Sequence, residues 1–120
     1  MQSTRIARLA HQFQQDIATI IHQELKDPRL GFVTITRVEL SSDLRHAKVA
    51  FSCLGSEEER ARSQAALDHS GRFMYGLLKK RFHLKAIPEL SFRYDESIAG
   101  AIALEEAFKQ IKPPKVQDEW

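Results

Sequence analysis

The sequence of 120 residues predicts one α+β domain, in which three helices cover one face of a three-stranded sheet and a short C-terminal helix follows. Along the chain, the spacing of apolar residues changes from three or four to two and later back again, which indicates helices alternating with strands. A segment rich in Val, Ile and Thr and a second segment that alternates apolar and polar residues flank one polar turn, as the strands of a hairpin do. A third alternating segment completes the order helix, strand, strand, helix, helix, strand, helix.

The first helix is expected over residues 3–25, where Ser3 or Thr4 can cap its start. Its apolar residues fall three or four apart on one face: Ile6, Leu9, Ala10, Phe13, Ile17, Ile20 and Ile21. Asp27 must end this helix, because the residue before Pro28 is pushed out of the helical region.

Residues 32–40 and 46–54 predict an antiparallel hairpin. The second segment alternates apolar and polar residues, and Ser41-Ser42-Asp43 between the two segments is typical of a turn. The apolar parity of the first strand shifts between Ile35 and Val38. This shift predicts either a β-bulge or a strand that is covered on both faces.

A pair of helices is expected after the hairpin. Ser56 and Glu59 have the spacing of a capping box, which predicts a helix that continues to about His69. Gly71 then interrupts the pattern, and apolar spacing resumes as far as Phe82. Since glycine inside a helix costs about 1 kcal/mol relative to alanine, we predict two helices or one strongly kinked helix. We also expect Gly71 to use backbone geometry closed to other residues, so that Gly71→Ala destabilises the domain.

The last predicted strand includes residues 90–94, and Pro88 confines its start to an edge or a loop. Ser97 can cap a short C-terminal helix, and the tail after that helix has little reason to fold. We therefore divide the chain into a domain of residues 1–97 and a C-terminal helix with its tail over residues 98–120.

Composition excludes several classes of protein. With 42% hydrophobic and 28% charged residues, the chain is typical of a folded soluble protein rather than a disordered or fibrous one. No stretch approaches the roughly 18 apolar residues that span a bilayer, so we expect no membrane partner. The single cysteine, Cys53, cannot form an internal disulfide, which favours the reducing cytoplasm. We expect a monomer.

The positive charge is concentrated in one segment. The formal net charge is only +2, yet residues 72–85 carry five cations and no acid. These cations fit either of two interpretations. They can form a solvated helix face, since positive charge is favourable near a helix C-terminus. They can also form a phosphate-binding surface, whose affinity falls steeply as salt rises. The phosphate contacts predicted from charge placement are Arg5, Arg8, Arg72, Lys79, Lys80, Arg81 and Lys85, with Arg37, Arg45 and Lys48 near the hairpin as further candidates.

No group of residues supports catalysis. Cys53 shares the apolar face of its predicted strand with Val49 and Phe51, as an ordinary buried thiol does. The five histidines show no metal-binding spacing, and His22 lacks the later cysteine pair of zinc deaminases. Neither G-x-G-x-x-G nor a P-loop occurs. The sequence therefore predicts a protein that is not an enzyme and needs no cofactor or metal.

The order of the first six elements matches a KH domain of the second topological type, α-β-β-α-α-β. In such a domain, the helix pair meets at a G-x-x-G loop that clamps single-stranded nucleic acid. None of the five glycines has another glycine three residues further on, so this clamp is absent, while Gly71 occupies the place of the helix junction.

Several ordered strings indicate a family. They are Lys26-Asp27-Pro28-Arg29-Leu30-Gly31-Phe32, Thr34-Ile35-Thr36-Arg37-Val38-Glu39-Leu40-Ser41, Asp43-Leu44, Ala47-Lys48-Val49, Pro88-Glu89-Leu90-Ser91-Phe92 and Tyr94-Asp95. Together with the opening helix that carries Arg5 and Arg8, they closely resemble the bacterial ribosome-binding factor A family over about residues 3–97. The resemblance implies a KH-like domain without G-x-x-G, in which an Ala-x-Gly junction kinks the last two helices. That junction corresponds here to His69-Ser70-Gly71, with histidine in place of the alanine.

The resemblance also implies a function. Proteins of this family are non-enzymatic maturation factors that bind free small (30S) ribosomal subunits or their precursors and contact 16S rRNA near the decoding region. They assist late processing and folding of the 16S rRNA 5′ end and are associated with growth in the cold. We therefore expect the small subunit, its 16S rRNA and some ribosomal proteins as partners. Asp27-Pro28-Arg29 and Gly31 match the family pattern, but their local chemistry favours a helix stop and a turn, and we keep Arg29 as a candidate RNA contact.

The alternative is a protein-interaction module without direct RNA binding, in which the long first helix and the acidic C-terminal third dock on a protein. Salt separates the two hypotheses, because phosphate binding weakens steeply as salt rises and an apolar interface does not.

Overall fold

The computed structural model describes residues 4–82 and 86–111, except for the side chain of Ile111. In chain order the elements are the helix Thr4–Gln23 (α1), the strands Val33–Leu40 (β1) and His46–Cys53 (β2), the helices Glu57–His69 (α2) and Gly71–Arg81 (α3), the strand Glu89–Tyr94 (β3) and the helix Ile98–Ile111 (α4). This order confirms the predicted α+β class and the KH-like arrangement with an added C-terminal helix.

The sheet has the order β1-β2-β3, with β1 antiparallel and β3 parallel to the central strand β2. The pairing of β1 with β2 shifts between Ile35 and Arg37. This β-bulge returns Val38 and Leu40 to the buried face that Ile35 occupies, which explains the change of apolar parity. The predicted β-bulge is therefore confirmed, and the apolar pattern of β1 does not require the strand to be covered on both faces.

The core lies between this face of the sheet and α1, α2 and α3. Phe13 and Ile17 of α1, Phe51 of β2 and Leu67 of α2 are completely buried. The ring of Phe13 meets the ring of Phe82, just after α3, edge to face at 4.4 Å between centroids. This contact joins the end of α3 to the middle of α1 and fixes the two helices relative to each other.

The start of α2 has the predicted capping box. The Glu59 amide donates to the Ser56 hydroxyl at 3.3 Å, and the Ser56 amide donates to the Glu59 carboxylate at 2.9 Å. The two hydrogen bonds satisfy backbone amides that have no partner inside the helix.

The junction between α2 and α3 lies at the predicted place but has a different cause from the one expected. Its single linking residue is Ser70, whose buried hydroxyl donates to the Leu67 carbonyl at 2.7 Å, while its amide donates to the same carbonyl and to that of Ala66. This is the tight spacing of a 3₁₀-type helix end. Gly71 lacks the positive φ that Gly55 has, and a Cβ placed on Gly71 meets nothing within 4 Å. The expectation that Gly71 needs backbone geometry closed to other residues is therefore wrong.

Helix α4 packs on the sheet face opposite the core, at the end formed by the start of β1 and the end of β2. Ser52 points away from its core-facing neighbour Phe51, is buried, and donates to the carbonyls of Gly100 at 3.3 Å and Asp95 at 3.4 Å. Phe108 of α4 meets Phe32 with 5.7 Å between ring centroids. The sequence predicted α4 but not the surface on which it packs.

Asp95 holds the start of α4 against the bulge of β1. Its carboxylate accepts hydrogen bonds from the Thr36 hydroxyl at 2.6 Å and from the Ser97 hydroxyl and amide at 2.6 and 2.9 Å. The Ser97 hydroxyl, the Thr36 hydroxyl and the Ser97 amide together lower the pKa of Asp95 to about 2.

Cys53 is buried, as predicted, and burial raises the pKa of its thiol. Among the helices within residues 4–82 and 86–111, none is long and apolar enough to cross a bilayer.

Candidate nucleic-acid interface

The basic end of α3 presents two unopposed cations. Lys79 and Lys80 lie in the last turn of the helix, and both are exposed. Neither forms an ion pair with another residue of 4–82 or 86–111. Their side chains are therefore available to phosphate oxygens, which bind a lysine ammonium as a point charge.

Arg81 differs from its two neighbours. Its guanidinium lies 3.6 Å from the carboxylate of Asp16 on α1, and both side chains are partly shielded from solvent. The pair helps to hold α3 against α1, and it offsets much of the charge that Arg81 was predicted to offer. Lys85, the last cation of the basic segment, lies outside the described residues.

Arg5 and Arg8 are exposed on the first two turns of α1. They line an open groove of about 760 Å³ whose other wall includes Ser42 and Leu44 of the β1–β2 turn. Asp16, beside Arg81, lies eight residues after Arg8, or roughly 12 Å along the helix axis. Arg5 and Arg8 therefore lie at a fixed separation from the basic end of α3, where Arg81 contacts Asp16. The two groups of cations do not form one continuous patch.

Arg29 is held by its own turn. Its guanidinium donates to both carboxylate oxygens of Asp27, with Nε and Nη2 at 3.1 and 2.8 Å, and its amide also donates to that carboxylate at 2.9 Å. The Arg29 side chain, followed by its amide, lowers the pKa of Asp27 to about 2. This geometry favours the interpretation of the turn as structural, since an RNA phosphate would compete with a bidentate carboxylate.

The hairpin candidates have acidic neighbours. The Nε of Arg37 lies 3.1 Å from the Glu39 carboxylate, and Lys48 stands opposite Glu39 in the strand register. Arg37 and Lys48 lie on the sheet face away from α1 and α3, so the structure does not bring them together with the basic end of α3. Arg45 lies instead at the end of the β1–β2 turn, on the side of α3.

The α2–α3 junction cannot act as a G-x-x-G clamp, because one residue links the helices where a clamp needs a loop. His69 is exposed, Ser70 is buried, and Arg72 is exposed in the first turn of α3. That turn holds no acidic residue. The described residues contain no group of three or more His, Cys, Asp or Glu arranged to hold a metal ion.

Sequence reasoning missed two residues of this surface. Tyr75 of α3 is 41% exposed and lines one groove with Arg45 and another with Arg72, although charge placement alone gave no reason to select it. The sequence could have pointed to Tyr75, because it is an aromatic residue that lies outside the buried stripe containing Met74 and Leu78. Asp16 was also missed as the partner of Arg81, because contacts between α1 and α3 cannot be read from local spacing.

A profile of the family described as Ribosome-binding factor A matches residues 5–108. The chain belongs to this family. A ribosome-binding factor A from Thermomicrobium roseum is 45% identical over 119 residues, which cover 99% of this chain and 92% of the relative. The resemblance inferred from the motifs is thereby confirmed.

Solved structures of the ribosome-binding factor A family have the same fold. The crystal structure of the Thermus thermophilus protein has a TM-score of 0.66 and 30% identity, covering 74% of this chain and 93% of that one. A homology model of Thermus thermophilus ribosome-binding factor A, fitted into the cryo-EM map of a 30S–RbfA complex, has a TM-score of 0.61 and 31% identity, covering 73% and 92% of the two chains. The family comprises ribosome-binding factors rather than enzymes, in agreement with the prediction.

Proposed function

We propose that the protein binds the small ribosomal subunit through its 16S rRNA and assists late processing and folding of the 5′ end of that rRNA. Membership of the ribosome-binding factor A family supports ribosome association, and a relative has been placed in a 30S complex. The observation that carries the RNA contact is the exposed, unopposed pair Lys79 and Lys80 at the end of α3.

The mechanism is binding rather than catalysis. A ligand shifts a conformational equilibrium only by its differential affinity for the two states, and each tenfold preference contributes about 1.4 kcal/mol. A protein that grips phosphates at fixed positions favours the rRNA arrangement that places phosphates at those positions. The rRNA arrangement that fits the protein becomes more populated, and no cofactor or metal is consumed.

The fold supplies the required rigidity. Phe13 against Phe82, and Asp16 against Arg81, join α1 to the end of α3 by one apolar and one ionic contact. The cations of both helices therefore keep their spacing when the protein meets RNA. We assign the binding unit to residues 1–97, with residues 98–120 as an appended segment, and place its action in the cytoplasm, with greatest importance in the cold, where misfolded rRNA rearranges slowly.

The test replaces Lys79→Ala together with Lys80→Ala and measures co-sedimentation with free small subunits over a range of salt concentrations. Each lost phosphate contact lowers the slope of log affinity against log salt by about 0.7 to 0.9, so we expect a loss of about 1.5. The fold should survive, because surface substitutions usually change stability within about 0.5 kcal/mol.

The matched control is Arg62→Ala together with Lys109→Ala, which removes the same charge from exposed positions on α2 and α4. The control should retain the wild-type slope, since these residues lie away from the basic end of α3. Equal slopes for the wild type and the Lys79 and Lys80 double variant would overturn the assignment of this surface. Salt-independent binding by all three proteins would instead favour a protein-interaction module.

That alternative has one observation in its favour. Ile98 and Ile102 of α4 are 82% and 54% exposed, on the helix that covers the outer face of the sheet. Exposed isoleucines one turn apart can contact an apolar surface on a protein partner. Binding that disappears in Ile98→Ser with Ile102→Ser, but persists in the lysine variant, would favour the alternative.

A further inference from the structure

Three neighbouring grooves cross one end of the molecule. The first, of about 760 Å³, lies between Arg5 and Arg8 of α1 and Leu44 of the β1–β2 turn. The second, of about 680 Å³, lies between Leu44 and Tyr75. The third, of about 590 Å³, runs from Tyr75 to the start of β3. Adjacent grooves share Leu44 and Tyr75 as lining residues, so the three follow one another in a row, which we call the trough.

We propose that the trough binds a single-stranded segment of RNA, with the ring of Tyr75 stacked on an unpaired base. This inference rests on the proposed function and names the contact within it. It adds a base-binding aromatic residue to a surface so far defined only by charge.

The cations of the trough are free of ion pairs. Arg5, Arg8, Arg45 and Arg72 are all exposed, and none is paired with an acid within residues 4–82 and 86–111. Elsewhere on the surface, Arg29, Arg37 and Arg81 each have a carboxylate within 4 Å, whereas Arg62 and Arg93 have no ion pair within the described residues. Four separated guanidinium groups along one path suit the phosphates of a strand that follows it, because guanidinium binds phosphate in a bidentate manner.

Three acids also line the trough, and each has a polar group of a neighbouring residue within 4 Å. Asp43 accepts hydrogen bonds from the Ser41 hydroxyl and the Arg45 amide, which lower its pKa in that order. Asp68 accepts from the Gln64 side chain at 3.1 Å, and the Glu89 carboxylate lies 3.6 Å from the His46 ring. Their charge still reduces the local potential. The strand must therefore gain part of its affinity from contacts that involve no charge, and Tyr75 supplies such a contact.

Tyr75 has the exposure and the surroundings of a stacking residue. Its side chain is 41% exposed, and it lines both the groove that holds Arg45 and the groove that holds Arg72. Proteins that bind single strands combine aromatic platforms with flanking cations, because every base has a flat face and every nucleotide a phosphate. Phe73, two residues earlier on α3, is 46% exposed but lines none of the three grooves.

Leu44 sets the shape of the trough. It has φ of +60°, a left-handed conformation that is unfavourable for leucine because its Cβ crowds the following carbonyl oxygen. The turn maintains this conformation through the Leu44 amide bonded to the Ser41 carbonyl at 2.9 Å and the Arg45 amide bonded to the Asp43 carboxylate at 3.0 Å. Glycine would adopt this φ freely but would leave no wall between the first two grooves.

The test compares Tyr75→Ala with Tyr75→Trp and Phe73→Ala in the full chain, using both free small subunits and protein-free 16S rRNA as targets. Loss of one stacked base reduces affinity by about 5- to 150-fold. We expect Tyr75→Ala to show a loss in this range with both targets and an unchanged salt slope, because no charge is removed. Tyr75→Trp and Phe73→Ala should bind as the wild type does, and thermal melts establish that all three variants are folded.

The outcomes separate this proposal from the broader function. Normal binding by Tyr75→Ala, together with weakened binding by the Lys79 and Lys80 variant, overturns the trough and leaves the proposed function standing. A loss with whole subunits but not with protein-free rRNA means that Tyr75 contacts a ribosomal protein, and it overturns the RNA assignment. An equal loss in Phe73→Ala also overturns it, since any exposed aromatic residue on α3 would then suffice. Failure of the wild type to bind small subunits at any salt concentration refutes the proposed function itself.

Discussion

Gly71→Ala tests the cause of the helix junction. Gly71 is the first residue of α3, its φ is not positive, and a Cβ added there has open space within 4 Å. Alanine therefore brings its higher helix propensity and a less flexible unfolded chain without a clash. Because the site is in the first turn, we expect about 0.5 kcal/mol of stabilisation, less than the full interior difference of about 1 kcal/mol. With an unfolding entropy of about 2 cal/mol/K per residue, this raises the melting temperature by about 2 °C.

Two other glycines calibrate the measurement. Gly76, in the middle of α3, also has open space around an added Cβ, so Gly76→Ala should stabilise the protein by about 1 kcal/mol. Gly55 has φ of +118°, and an added Cβ would clash with a Glu59 carboxylate oxygen. Gly55→Ala should therefore destabilise the protein by about 2 kcal/mol or more, since it strains the backbone and disturbs the capping box.

The assay is thermal and urea unfolding of the three variants alongside the wild type, with subunit binding measured for each folded protein. Destabilisation by Gly71→Ala, in a series where Gly76→Ala stabilises, would refute the assignment of the junction to Ser70. It would restore the original expectation that Gly71 itself is required. Wild-type subunit binding by Gly71→Ala is also expected, because α3 keeps its direction when the junction depends on Ser70.

The pH dependence of stability should reveal Asp95. Its pKa is lowered from an ordinary 3.8 to about 2 in the folded state, so its contribution to stability is complete above pH 3.8 and is lost as the pH falls through about 2. Asp95→Asn should therefore lose less stability over that pH interval than the wild type. An identical profile of unfolding free energy against pH would contradict the role of this carboxylate. Cys53 is only 5% exposed and burial raises its pKa, so the native thiol should resist an aqueous disulfide reagent that labels it fully in urea. Rapid labelling of the native protein would contradict this burial.

Local signals predicted most of the fold. The Ser56 and Glu59 box starts α2, and the parity shift after Ile35 marks a real bulge, whereas α1 ends at Gln23, before the predicted stop at Asp27. Each of these signals depends on residues close together in sequence, where backbone sterics and short hydrogen bonds act. The cause assigned to Gly71 was wrong because a glycine that breaks an apolar pattern need not adopt a conformation reserved for glycine.

The site was predicted less completely. The local concentration of charge located the cations of α3, but spacing could not show that Asp16 offsets Arg81 or that Asp27 holds Arg29 in a bidentate pair. The aromatic residue at the centre of the trough was not selected at all. Tyr75 acquires its neighbours only when the β1–β2 turn, the start of α3 and the segment before β3 meet at one end of the molecule.

The sequence by itself therefore determined the family, the order of the elements and the positions of the exposed cations. The family follows from the resemblance of its ordered motifs, whereas the order of the elements and the positions of the cations follow from hydrophobic period, turn chemistry and charge, which are properties of neighbouring residues. The tertiary structure alone decided that α4 packs opposite the core, that Ser70 makes the junction, and which cations remain unpaired. The contacts of Ser52 with Gly100 and of Arg81 with Asp16 join residues far apart in the chain, and their partners are chosen by packing the whole core, which no local pattern encodes.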